Sequence, residues 1–340
     1  MNHRISRTQF VAGSLALALA ACSRGENSTP SAGSSAAAME KAAEPTTAKV
    51  VKLGYQKIGP PFLLKERSQS LQQRLSASGA RAEWIEFKHG PALLEALNAN
   101  EVDIGYVGET PPVFAQAAGV NFVYVATDPP APKAEAIVVQ KDSPLKKLED
   151  LKGKRIALNR GSNVHYLLVR ALESVKLSIK DVEVVYLAPP DARPAFETGK
   201  VDAWVIWDPF LASAELAGAR SLANGESLVD NHLFYVVRRS FAEQEAALVH
   251  LVLDEYKQLS DWESKHPEEA ARLLAQSSGL SYEALLVAEK RHTYGILPVT
   301  PEILQKQQSI ADSFRKLGLI PKDIRTGDAF LPAAVYQAKL

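Results

Sequence analysis

Short apolar runs alternate with stretches of helical character along most of this chain, and no other feature of the sequence restricts the fold so strongly. The runs at residues 49–54, 81–87, 102–107 and 122–126 are each followed by a helix-like or turn segment, the pattern of a parallel sheet covered by helices. The proline-rich stretch Asp128–Pro132 interrupts this series, and a second one of the same kind follows at residues 155–158, 182–187 and 201–207. Strand-like runs at residues 134–140 and 234–238 flank the second series, so they are expected to cross out of the first lobe and back into it. Beyond Ser240 the spacing of Leu248, Leu251, Val252 and Tyr256 is helical, and these C-terminal helices are expected to pack on the first lobe. A length of 340 residues with 46% hydrophobic content suits two α/β lobes at about 150 residues per domain.

The N-terminal end reads differently. Arg4 and Arg7 precede an apolar run, Phe10–Ala21, that is too short for the roughly 20 residues of a membrane-spanning helix and fits a cleaved export signal. Cys22 follows directly and is the only cysteine, which excludes an internal disulfide, a cysteine-rich zinc site and an iron–sulfur cluster. From Ser23 to Lys49 there is no Val, Ile, Leu or aromatic residue, so this stretch cannot bury a core and reads as a flexible tether spanning about 30 Å. The expected organisation is a signal at 1–21, a tether at 22–48, the first part of lobe 1 at 49–133, lobe 2 with its crossovers at 134–238, and C-terminal helices at 239–340.

Basic and acidic side chains number 39 each, so no global field recruits nucleic acid or an anionic membrane surface, and any anion site must be local. In open α/β sheets such sites form where strands end and helix N-termini present unpaired N–H groups. Two stretches have that form. The run ending at Val107 leads through Gly108 and Glu109 to Thr110, read as an N-cap with Pro111 at the first helical position; the run ending at Leu158 leads through Gly161 to a second cap, Ser162, followed by Asn163 and His165. Asp191 and Asp208 also read as caps, and their charge disfavours a bare anion unless the ligand carries an amine. Strand alternation assigns Trp204 to the core and Trp207, at the strand end, to the cleft.

The order and spacing of several strings resemble the aliphatic sulfonate-binding proteins of ABC importers, relatives of taurine- and nitrate-binding proteins. These strings are Gly54-Tyr55-Gln56-Lys57, Glu95-Ala96-Leu97-Asn98, Pro111-Pro112 with Phe114 to Gly119, Pro132 to Glu135, Gly161-Ser162 with His165, Asp191-Ala192-Arg193, and Val201 to Trp204 with Trp207-Asp208-Pro209. The resemblance implies a two-lobed type II periplasmic binding fold joined by two crossover strands, a monomer without cofactor or metal, and a permease as partner. It implies further that Gln56, Thr110, Ser162, Asn163 and His165 surround a sulfonate, with backbone amides after Gly108 and Gly161, while Trp207 covers the alkyl part. Leu19-Ala20-Ala21-Cys22 resembles a lipobox, so Cys22 is the expected lipidation site of an exported lipoprotein held to the membrane by its lipid alone. Two positions depart from the pattern. Glu109 stands where aspartate is expected, with reach to the cleft, where it would meet the amine of taurine, or to the opposite lobe, and Tyr106 replaces a small residue, so binding of taurine, nitrate or bicarbonate by the same fold is the alternative. A desulfinase-like enzyme of the same fold would need a cysteine nucleophile, which this chain lacks beyond Cys22.

Overall fold

Strands that are buried on both faces show up as continuous apolar runs, and in the computed structural model, which describes residues 48–331, those runs build two five-stranded sheets. The first lobe starts with β1 (Lys49–Tyr55), α1 (Gly59–Glu66), α2 (Gln69–Ala77), β2 (Ala80–Glu86), α3 (Gly90–Asn98), β3 (Ile104–Gly108), α4 (Thr110–Ala118) and β4 (Phe122–Thr127). The chain then crosses through β5 (Glu135–Val139) into β6 (Arg155–Leu158), α5 (Asn163–Ser174), β7 (Glu183–Tyr186), α6 (Pro189–Glu197), β8 (Ala203–Trp207), α7 (Phe210–Leu216) and β9 (Arg220–Asn224). It returns through β10 (Leu233–Arg238) and closes with α8 (Arg239–Gln244), α9 (Ala246–Glu263), α10 (Pro267–Ser278), α11 (Tyr282–Arg291) and α12 (Pro301–Lys316). The expected signal, Cys22 and most of the tether lie outside the described residues, as does the end of the C-terminal segment.

Strand order is β2-β1-β3-β10-β4 in one sheet and β7-β6-β8-β5-β9 in the other. Within each sheet one crossover strand runs antiparallel between parallel neighbours: β10 between β3 and β4, β5 between β8 and β9. This accounts for the mostly parallel sheets and the two crossovers read from the sequence. The register sets the position of the site. Leu233, the first residue of β10, is opposite Gly108 at the carboxyl end of β3, and Glu135, the first residue of β5, is opposite Trp207 at the carboxyl end of β8. Both connections between the lobes therefore begin where helix-bound ligands sit in open sheets.

Each sheet has its own core, with Leu53, Tyr106, Tyr235 and Tyr256 in the first and Ile156, Leu168, Val205 and Trp204 in the second. A smaller apolar cluster joins α4, α5 and α12 through Val113, Val169 and Phe314. Helices α9 and α10 pack on α1, whereas α11 lies against α7 of the second lobe. Among the described residues no helix is long and apolar enough to cross a membrane.

Candidate functional site

A cleft enclosing about 760 Å³ of atom-free space, part of it open to solvent, lies between the sheets. Gln56 and the turn Lys57–Gly59 reach it from the end of β1, Gly108 from β3, Ser162 and Asn163 from the start of α5, and Trp207 and Asp208 from the end of β8. The N-termini of α1, α4 and α5 all begin here. Pro60 and Pro61 in α1, and Pro111 and Pro112 in α4, carry no N–H, so these helices offer few donors despite their dipoles. Helix α5 has no proline in its first turn, and its Asn163 and Val164 amides fall among those that no intrahelical carbonyl can satisfy. An anion in the cleft finds its densest set of N–H donors at α5.

Around that terminus the polar side chains are neutral. Ser162 occupies the cap position of α5 in an extended conformation but makes no side-chain cap bond: its hydroxyl donates instead to the Asn159 carbonyl at 2.7 Å, so what it offers the cavity wall is its backbone. Gln56 is anchored by a 3.0 Å bond from Nε2 to the Tyr106 carbonyl. The Thr110 hydroxyl is fully buried and has no hydrogen-bond partner. Thr110 is itself the first residue of α4, with Glu109 in the cap position but making no side-chain cap bond. The expected Thr110 cap is thus corrected by one residue: the two prolines that follow are accommodated in the first turn, and the helix starts ahead of them.

Asn163 ties the lobes to their hinge. Its Nδ2 donates to Glu135 at 2.8 Å and to the Asn231 side-chain oxygen at 2.7 Å, so both amide hydrogens are consumed within the protein. Its Oδ1 faces Gly108, where an added Cβ would lie only 2.4 Å away. Glu109, which the sequence left free to reach the cleft or the opposite lobe, turns instead to the crossover and accepts the His232 backbone N–H at 3.0 Å. Asn231 holds that crossover in a left-handed turn at φ 54° and donates to the Ala131 carbonyl at 2.8 Å.

Burial keeps the acids of this region from repelling an anion. Desolvation pushes Glu109 up to about 8, against the opposing pull of the His232 N–H, and pushes Glu135 well above the ordinary carboxylate range, with Glu109 adding to the shift. Asp208 is raised to about 7 by burial, partly offset by Arg291, whose guanidinium lies 3.4 Å from both its oxygens and also pairs with Glu215. Because the folded Glu109 holds its proton more tightly than the unfolded chain, its contribution to stability is complete below about pH 4.5 and is lost as pH rises through about 8. Replacing Glu109 by Gln keeps the acceptor for His232 and removes the ionisation. We expect the variant to melt close to the wild type at pH 5 and several degrees above it at pH 9, the full penalty being on the order of 5 kcal/mol; thermal melts across this range check it, and parallel pH profiles would contradict it.

The far wall of the cleft is formed by α10 and α11, with Leu274, Leu285 and Ala288 giving way to Glu289 and His292. His292 pairs with buried Asp128 at 3.3 Å; burial works against its cation, but Asp128 and Glu289 outweigh that and its pKa rises. Tyr106 does not enter the cleft. Its ring is buried against Tyr235 at 4.8 Å, and its hydroxyl donates to Asp128, so the departure at this position builds the first-lobe core rather than the ligand surface.

Of the residues expected at the site, the fold brings Gln56, Gly108, Ser162, Asn163, Trp207 and Asp208 to the lining of one cavity, which Glu109 and Thr110 do not join. Gly161 lies just behind at φ 70°, over Phe114, and donates its N–H to His165 Nδ1 at 3.3 Å. His165 is fully buried beside Phe114, Tyr186 and Phe314, and burial lowers it to about 4, so it is a neutral ring behind the cleft rather than a cation facing it. Asp191 stands exposed in the first turn of α6, whose cap position is Ala188, away from the cavity lining; the Pro189-Pro190 pair starts that helix ahead of it. Asp208 lies just before α7, where Pro209 occupies the cap position, and its carboxylate accepts the Ala212 N–H at 2.9 Å. Sequence reasoning passed over Glu135, Asn231 and Arg291, whose roles depend on partners far away along the chain.

Residues 85–270 match the family described as NMT1/THI5 like. A protein of Escherichia coli (strain K12) whose name describes an aliphatic sulfonates-binding protein is 40% identical over 81% of this chain and 86% of its own length. A Bacillus subtilis (strain 168) protein of the same name is 32% identical over 82% of this chain and 85% of its own. Among solved structures, the alkanesulfonate-binding protein SsuA from Xanthomonas axonopodis pv. citri, bound to MOPS, superposes with a TM-score of 0.79 at 38% identity, covering 83% of this chain and 98% of that one. With two such lobes, the cleft between them and this extent of likeness, the chain belongs to the NMT1/THI5-like family, in the group of the aliphatic sulfonate-binding proteins.

Proposed function

We propose that the protein is the extracytoplasmic solute-binding component of an ABC importer and that it captures aliphatic sulfonates for sulfur acquisition. The observation that carries this reading is the donor set at the start of α5, which meets neutral Gln56 and Ser162 in a cleft between two lobes. A sulfonate is a monoanion at any physiological pH and offers three acceptor oxygens, so neutral donors and helix amides suit it without a counter-charge. Proton retention by Glu109 and Glu135, and the pairing of Asp208 with Arg291, keep the surrounding acids compatible with that charge. Trp207 covers the aliphatic part.

The two crossover strands act as the hinge, and ligand contacts from both lobes shift the open and closed populations toward closed, the form a permease would engage as its monomeric partner. Binding rather than catalysis fits the residue set, since no thiol stands among the residues lining the cleft and the one cysteine of the sequence is the Cys22 of the lipobox-like string. The Leu19-Ala20-Ala21-Cys22 string supports export and anchoring through a lipid on Cys22, placing the protein in the periplasm or at the cell surface. Cells lacking the gene should fail to grow on hexanesulfonate as sole sulfur source while growing normally on sulfate; equal growth on both would overturn the transport role. A Cys22→Ser form should appear in the soluble extracytoplasmic fraction with its ligand affinity intact, and continued membrane retention would refute the anchor.

A further inference from the structure

The cleft does not end at Trp207. A second, outer compartment of about 1020 Å³, including space open to solvent, shares Gln56, Lys57, Ile58 and Trp207 with the inner one, so the two are continuous past the indole. Three aromatic rings line it, Trp207 and Phe210 from the second lobe and Phe87 from the first. Its rim carries three cations, Lys57, Lys88 and Arg193, against one carboxylate, Glu86.

These cations differ in how far they are already engaged. Lys57 donates to the Ser278 carbonyl at 3.1 Å and lies 3.7 Å from Glu86, and Arg193 holds Glu197 at 2.8 Å. Lys88 is exposed and has no ion-pair or side-chain hydrogen-bond partner among the described residues. The chain as a whole has no excess of positive charge, so this local surplus is not a reflection of composition. Aromatic walls accept either a flat ring or a cation. A rim of like charge disfavours the cation, which leaves a ring bearing negative charge.

We propose that the outer compartment is a second subsite, which takes the aromatic ring of a sulfonate carrying a further anionic group at its distal end, with Lys88 and Arg193 from opposite lobes meeting that group. The inference rests on the sulfonate reading of the inner cleft and extends it from simple alkanesulfonates to ring-bearing dianions. Two cations converging from separate lobes also give such a ligand an added grip on the closed form.

Calorimetric titration of the purified protein with hexanesulfonate, benzenesulfonate and 4-sulfobenzoate tests this. At low ionic strength 4-sulfobenzoate should bind about fivefold more tightly than benzenesulfonate, the size expected of two partly exposed ion pairs, and salt should erase the gain. The double variant Lys88→Ala/Arg193→Ala should lose that preference while binding hexanesulfonate within about twofold of wild type, as expected of surface changes away from the inner cleft. Equal binding of the two aryl ligands to the wild type, or a preference that survives in the double variant, overturns the second subsite while hexanesulfonate binding leaves the inner site standing. Absence of binding by all three ligands would overturn both.

Discussion

Gly108→Ala is expected to weaken ligand binding by about tenfold to a hundredfold while leaving each lobe folded. The added methyl would lie 2.4 Å from Asn163 Oδ1 and 2.8 Å from its Cγ, too close for either lobe to keep its place. An ordinary side chain would swing aside at little cost. Asn163 is not free to do so, because Glu135 and Asn231 hold its amide at 2.8 and 2.7 Å. Either those bonds break and strand a buried carboxyl group, or the lobes stay apart at this contact. Both outcomes reduce the population of the closed form, and apparent affinity falls in proportion to it. Small-angle scattering of the variant with ligand should show the more extended particle that the wild type shows without it. Wild-type affinity in the variant would mean that Gly108 and Asn163 do not meet in the ligand-bound protein.

The second large effect separates two tryptophans on one strand. Trp204 is 1% exposed and packs against Phe196 at 5.8 Å, inside the second-lobe core. Its replacement by alanine should cost about 3–5 kcal/mol of stability, since the cavity left behind cannot collapse onto a rigid sheet. Trp207, three residues on, borders both compartments of the cleft. Trp207→Ala should lower affinity tenfold or more, as expected of a buried aromatic anchor, with a smaller fall in melting temperature. Denaturant melts and titrations on the two variants check the pair. A result in which Trp204→Ala loses affinity at unchanged stability would reverse the assignment of the strand's faces.

That assignment came from strand alternation, and it shows which parts of the structure are legible in the sequence. Runs such as Phe122–Thr127 and Ala203–Trp207 are buried on both faces, so their apolar content announces them, and the carboxyl ends where they stop are where the cleft lies. Strand β9, Arg220–Asn224, was not legible: it lies at the sheet edge, pairs only with β5 and is mostly half-buried, so its sequence has no continuous apolar run. Residues whose surroundings arise from distant chain segments were equally hidden. Nothing near His165 indicates that Phe314 of α12 will close over its ring. The amide of Asn163 is spent on Glu135 and Asn231, 28 and 68 residues away, and only the register of β5 and β10 brings those partners to α5. Arg291 likewise meets Asp208 across 83 residues.

Glu109 links these observations. It departs from the expected aspartate, and its carboxyl group accepts from the crossover at His232, so the departure ties α4 to the connection between the lobes. Tyr106, buried with its hydroxyl on Asp128, also lies outside the cleft. Neither change removes a donor from the start of α5.

Calorimetric titration of the purified protein with hexanesulfonate, set beside nitrate, bicarbonate and sulfate, tests the central claim most directly. Saturable one-to-one binding of hexanesulfonate at micromolar concentration, worth about −8 kcal/mol, with no heat from the inorganic anions, is the predicted result. Binding of nitrate or bicarbonate without any response to hexanesulfonate would contradict it.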